Sequence, residues 1–345
     1  MTTREAGEPT DAAAERAADL VPDYEFDVEF ASHPPRVRRL LRESLPLLGA
    51  PGDTRSIEEL EAAIARTFGV ESRNVVVFPG TRAAIQLMLA NVDRYVTLPL
   101  CYTGVGEEVW AMGRHAPPGL RVPDLDRGAD ELRQPMRTML FVDSPSYFTG
   151  ARITLEQAID VSRRARGDSF MVVDASSTLL FHLDARYASN ARLVFLGSFA
   201  KVFLLGGLRL AFGVGPAELL QEFRPRYAYN DLSTFILHVA PKLLDELPHY
   251  RAAHLERRRA RIHNGDVLRE LLREHVVEYL SRRGHAKVTF LSRPEERPRL
   301  IERLAAIGLP PEALEFFPDF APPGLDLGHV RPFPARFAPS PPRPQ

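Results

Sequence analysis

The stretch LGSFAKVFLLGGLRLAFGVGP, residues 196–216, sets one lysine, Lys201, inside an otherwise apolar run. A hydroxyl, Ser198, stands three residues before it and a guanidinium, Arg209, eight residues after it. A lysine in such a run usually carries its charge out to water on its alkyl stem. A lysine kept partly desolvated beside positive charge instead has a lowered proton affinity, and its free amine condenses with an aldehyde to a Schiff base. An aldehyde carried on a phosphorylated aromatic ring makes four further demands. It needs a phosphate cradle, an acid facing the ring nitrogen, an aromatic face over the ring and a donor near the ring oxygen.

The sequence offers candidates for these roles, and pyridoxal 5′-phosphate (PLP) is the cofactor they describe. PGTRAAI places Gly80, Thr81 and Arg82 between a strand-like run and a helix-like run. Free N–H groups at a helix start bind phosphate, and Ser198 and Arg209 complete the cradle with a hydroxyl and a guanidinium. Asp174 closes FMVVD, where a strand end would put its carboxylate at the ligand-binding edge of an open α/β sheet. Tyr102, in LPLCYTG, follows another strand-like run and is the candidate to stack on the ring. Each residue also has an ordinary reading: Asp174 as a helix cap, Thr81 as an N-cap, Tyr102 as a core aromatic.

The elements that must position these residues read as a parallel sheet. NVVVF, RYVTL (94–98), TMLFVD (138–143), SFMVVD (169–174), LVFLG (193–197) and LRLAFGV (208–214) are short, continuous apolar runs. Helix signals lie between them, and that alternation predicts an α/β domain with a mostly parallel sheet covered on both faces. Ser56 with Glu59 reads as a capping box opening a helix that closes at Gly69, and Thr154 with Gln157 opens another. After about residue 235 long charged helices take over, followed by a strand at KVTFLS and a helix at RPRLIERLAAIG. The predicted organisation is a flexible arm (1–25), a large cofactor-binding domain (26–235), a smaller α+β C-terminal domain (236–332) and a Pro-rich tail (333–345).

The lysine stretch resembles the SFSKxxGLAGLRxGYxVG signature of fold-type I PLP enzymes, in particular the class I/II aminotransferases and their histidinol-phosphate aminotransferase-like group. VVVFPGTRAAIQLML is similar to that family's phosphate loop, FMVVDASS to its VDEAY strand end and FVDSPSYFTG to its NPNNPTG turn. The similarity runs in family order from about residue 40 to 216. It implies a three-layer αβα large domain with a seven-stranded sheet, PLP bound through Lys201, and a homodimer whose sites form at the subunit interface. It also implies Lys201, Asp174 and Tyr102 as catalytic residues. Two positions depart from the family. Tyr147 stands where an asparagine reaches the ring oxygen, and Ser177 where a tyrosine does. The resemblance places the substrate-carboxylate arginine at Arg331, with Arg336 as second choice.

Length and composition bound the rest. The chain has 345 residues, 45% apolar and 26% charged, with a net charge of −1. That balance points to a globular protein and gives no sign of a nucleic-acid or membrane partner. The Arg257, Arg258, Arg259 and Arg261 run has no interleaved aromatics and reads as a solvated helix face. One cysteine, Cys101, permits no internal disulfide and fits a cytoplasmic protein. No secretory signal or membrane span is evident, and the histidines lack metal-ligand spacing. The expected function is transamination of an amino acid or amine in biosynthesis. PLP-dependent decarboxylation, elimination or oxidation stays open, as does an inactive scaffold that kept the fold.

Overall fold

The computed structural model describes residues 33–50, 54–176, 184–190, 192–224, 232–281, 288–307, 309, 313–317 and 321–330. They fall into two compact units. The first takes in the described residues up to Tyr147 and from Ala151 to His254; the second takes in Phe148–Gly150 and the described residues from Leu255 onward.

The first unit is built on seven strands: β1 (Val75–Phe78), β2 (Arg94–Thr97), β3 (Gly119–Arg121), β4 (Thr138–Asp143), β5 (Phe170–Asp174), β6 (Leu193–Ser198) and β7 (Ala211–Val214). They are ordered β1-β7-β6-β5-β4-β2-β3. Neighbours from β6 through to β3 pair in parallel, and β7 runs antiparallel to both β6 and β1. The mostly parallel, seven-stranded α/β sheet expected from the sequence is therefore present. Every residue of β1, β4, β5, β6 and β7 is buried, which explains why the strands read as unbroken apolar runs.

Side-chain alternation splits those strands between two cores. Val75, Val77, Leu140, Val142, Met171, Val173 and Phe195 face one core. Val76, Phe78, Met139, Phe141, Phe170, Val172 and Leu196 face the other. Helices cover the sheet: α1 (Pro35–Ser44), α2 (Thr54–Phe68), α3 (Thr81–Leu89), α4 (Thr103–Met112), α5 (Leu125–Glu131), α6 (Leu155–Arg163), α7 (Phe199–Val202), α8 (Ala217–Phe223) and α9 (Thr234–Asp245). At the start of α6 both halves of the predicted capping box form: Thr154 Oγ1 accepts from the Gln157 N–H, and Gln157 Oε1 accepts from the Thr154 N–H. The box expected at Ser56 does not cap α2. That helix already begins at Thr54, so Ser56 lies in its first turn. Gly69 follows α2 at φ 69°, the left-handed turn that ends a helix.

The second unit holds β8 (Glu278–Tyr279), β9 (Val288–Ser292), β10 (Leu314–Phe316) and β11 (Asp326–Val330) in an antiparallel sheet ordered β10-β11-β9-β8. The end of α10 (Leu247–Leu272) and α11 (Arg297–Ala306) pack on it through Leu268, Leu272, Leu300 and Leu304. Among the described residues, no helix is long and apolar enough to cross a membrane.

Candidate active site

Topology alone gathers the chemistry-bearing residues at one edge. Asp143, Asp174 and Ser198 are the last residues of β4, β5 and β6, three adjacent parallel strands. Counting by twos from Phe141, Val172 and Leu196 puts all three on the same face of the sheet. Gly80 lies just past the end of β1 and Arg209 just before the start of β7. The β1–β7 register pairs Phe78 with Ala211, and its continuation sets Gly80 opposite Arg209.

The loop between β1 and α3 is shaped for an anion. Gly80 caps α3 at φ 100°, ψ 161°, a backbone conformation open essentially to glycine alone, and no side chain caps the helix. The first N–H groups of α3 thus face the edge with the positive end of the helix dipole behind them. The Arg209 guanidinium lies over this turn: a Cβ on Gly80 would meet its Nη2 at 3.2 Å. Arg209 itself adopts the left-handed conformation, φ 46° and ψ 44°, which aims its side chain there. Thr81 is the first residue of α3 rather than its cap. The Arg82 side chain turns away and pairs with Glu108 and Glu107 of α4, so only its backbone remains for the cradle.

Lys201 sits in α7, the short turn that follows β6. Ser198 caps that turn, its hydroxyl oxygen accepting from the Ala200 N–H at 3.3 Å. The Val202 carbonyl next to Lys201 is held by the buried His254 Nε2. Asp174 is 2% exposed. Burial pushes its carboxyl above the usual carboxylate range, opposed by hydrogen bonds from the Ser176 hydroxyl and N–H and by the Lys201 ammonium. The Ser176 N–H donates to Asp174 Oδ1 at 2.8 Å and fixes the carboxylate's orientation.

Tyr102 caps α4 and packs its ring 5.6 Å from that of Tyr147, tilted by 55°. Burial raises its hydroxyl pKa, and the Asp174 charge raises it further. Tyr147 donates its backbone N–H to Asp143 Oδ2 at 2.6 Å. Cys101 is buried, and burial first, then the charges of Asp143 and Asp174, drive its thiol well above its ordinary pKa. Such a thiol is not a nucleophile.

The structure therefore gathers Gly80, Thr81, Tyr102, Tyr147, Asp174, Ser198, Lys201 and Arg209 at one sheet edge. Ser177, Arg331 and Arg336 lie outside the described residues. Sequence reasoning missed Ser176, the orienting partner of Asp174, and Asp143. Asp143 carries the same signal as Asp174, a carboxylate closing an apolar strand. The donor set fits a phosphorylated pyridine aldehyde: an uncapped helix start with an arginine over it, a buried carboxylate and an amine that senses each other's charge, and an aromatic pair beside them. Among the described residues, no cluster of His, Cys, Asp and Glu could hold a metal ion.

The fold is shared with histidinol-phosphate aminotransferase from Sinorhizobium meliloti in complex with pyridoxal-5'-phosphate, at a TM-score of 0.70 and 14% identity over 95% of this chain and 91% of that one. It is likewise shared with aspartate aminotransferase from Thermus thermophilus with maleate, at a TM-score of 0.66 and 21% identity over 95% and 93%. In sequence, the histidinol-phosphate aminotransferase of Sulfurimonas denitrificans is 22% identical over 201 residues, which take in 52% of this chain and 54% of that protein. The one of Sulfurovum sp. is 23% identical over 260 residues, 68% and 70% of the two. The chain thus spans about half the length of the first of these curated relatives. The model for aminotransferase class I and II matches residues 113–306, more than half of the chain. The chain belongs to the aminotransferase class I and II family.

Proposed function

We propose that the chain is a PLP-dependent aminotransferase acting on an amino acid or related primary amine in biosynthesis, as a cytoplasmic homodimer. The observation that carries this reading is the convergence of Asp174, Ser198, Gly80, Arg209 and the Lys201 turn on one face at the carboxyl edge of the sheet. PLP, when bound, supplies an electron sink conjugated to the substrate's α-carbon.

The chain's own groups would work as follows. The N–H groups at the start of α3, the Ser198 hydroxyl and the Arg209 guanidinium bind the phosphate. The backbone of Gly80, Thr81 and Arg82 contributes those N–H groups. Asp174 holds a proton on the pyridine nitrogen, and its burial makes that pairing strong. Tyr102 would cover the ring, and Tyr147 and Ser177 would serve the ring oxygen. Lys201 Nζ anchors the cofactor at rest. The free Lys201 amine would move the substrate's α-carbon proton as general base and then general acid. Arg331, or Arg336 as the second choice, would clamp the substrate carboxylate.

A second reading has support from one position. Tyr147 replaces an amide at the ring oxygen, and its backbone is tied to a carboxylate. A changed ring-oxygen partner would alter the bound cofactor's proton affinity, which fits decarboxylation, elimination or oxidation on the same cofactor. Incubating the protein and its Lys201→Ala variant with PLP, a panel of amino donors and a keto-acid acceptor tests both. The first reading predicts a new amino acid formed stoichiometrically with a keto acid, and no product from the variant. Carbon dioxide, ammonia or peroxide without keto-acid exchange would overturn it in favour of the second. No turnover on any donor, with no PLP uptake, would overturn both.

A further inference from the structure

The roles above use only one of two carboxylates at the edge. Asp143 and Asp174 are register partners across β4 and β5, and both project to the face lined by Phe141 and Val172. Register partners in a parallel sheet lie side by side about 5 Å apart. Asp143 is 8% exposed. Its Oδ2 accepts from the Tyr147 N–H. Tyr147 in turn packs on Tyr102. Burial and the charges of both carboxylates raise the pKa of the nearby Cys101 thiol.

We infer that Asp143 is a second charged group of the cofactor site, resting on the PLP reading above: with Asp174 it sets the pH at which the bound cofactor gives up its titrating proton. A nearby negative charge favours the protonated, cationic form and moves such an equilibrium upward, typically by about one pH unit or more. Groups bordering this site include Cys101 and Tyr102 before and at the start of α4, Tyr147 in the turn after β4, Asp174 on β5 and Lys201 on α7, and Arg82 on α3 with Glu107 and Glu108 on α4 acts on Tyr102. Arg121 on β3 also acts on the Cys101 thiol. None of these changes in the variants below.

Asp143→Asn keeps an oxygen for the Tyr147 N–H and removes only the charge; Asp143→Ser keeps a smaller acceptor and serves if the amide variant misfolds. The readout is the pH midpoint of the visible absorption band of the PLP-loaded protein, with PLP affinity measured alongside and circular dichroism as the control for folding. The expected result is a midpoint about one unit or more below wild type in a folded variant. A folded variant that keeps the wild-type midpoint overturns the inference, and reduces Asp143 to an anchor for the turn. A wild-type protein that binds no PLP is a different failure: it removes the functional reading and this one with it.

Discussion

Replacing Gly80 with alanine tests the cradle at its tightest point. The glycine sits at φ 100°, ψ 161°, a region where a side chain costs about 1–3 kcal/mol of strain. The added Cβ would stand 3.2 Å from Arg209 Nη2 and 3.6 Å from its Cζ. The guanidinium must retreat by a few tenths of an ångström, which would disturb its contact with a phosphate bound at this turn. Loss of one charge-assisted hydrogen bond costs about 1.5–3 kcal/mol, or roughly 10- to 100-fold in affinity. Gly80→Ala is therefore expected to lose about 1–3 kcal/mol in urea denaturation of the apo protein and to bind PLP roughly 10- to 100-fold more weakly by equilibrium dialysis. Arg209→Lys separates the two effects. It spares the Gly80 backbone while losing the forked contact, so it should weaken PLP binding without the strain at Gly80. A Gly80→Ala protein as stable as wild type and equally avid for PLP would refute both the conformational claim and the role of Arg209.

Two further perturbations have signs fixed by the structure. Burial raises the Asp174 carboxyl above its ordinary value of 3.8, so the folded state binds that proton more tightly than the unfolded one. Its contribution to stability is complete below the unfolded value and is lost as pH rises through the folded one. Apo Asp174→Asn should thus be more stable than apo wild type at neutral pH, with the gap closing on acidification toward 3.8, while its PLP affinity falls; an unstable variant at pH 7 with a widening gap at low pH would contradict this. Thr154→Ala removes the hydroxyl that accepts from the Gln157 N–H at 3.1 Å and should cost about 1 kcal/mol in the same denaturation assay. No measurable loss would mean that the capping box contributes nothing in solution.

The parts of the fold that were legible are those where burial and local chemistry agree. β4, β5 and β6 are buried along their whole length, so continuous apolar runs marked them to within a residue. The capping box at Thr154 needs only residues three apart. β3 was invisible because all three of its residues are exposed. β8 and β10 are two and three residues long, too short for a periodicity. In the site, Lys201, Ser198 and Arg209 were legible because one short stretch holds them. The direction of Arg82 was not, because the glutamates that capture it lie 25 and 26 residues away on another helix. Asp143 is hidden from the sequence for a related reason: only strand register sets it beside Asp174.

The amine of Lys201, and no other, should take the cofactor. The chain has only three lysines, Lys201, Lys242 and Lys287, so the modified one can be identified by mass. The protein is incubated with PLP, reduced with borohydride, digested and analysed by mass spectrometry. A pyridoxyl adduct confined to the Lys201 peptide, with loss of the yellow colour on reduction, is the predicted result. An adduct on Lys242 or Lys287 instead, or no adduct on a folded protein, would contradict it.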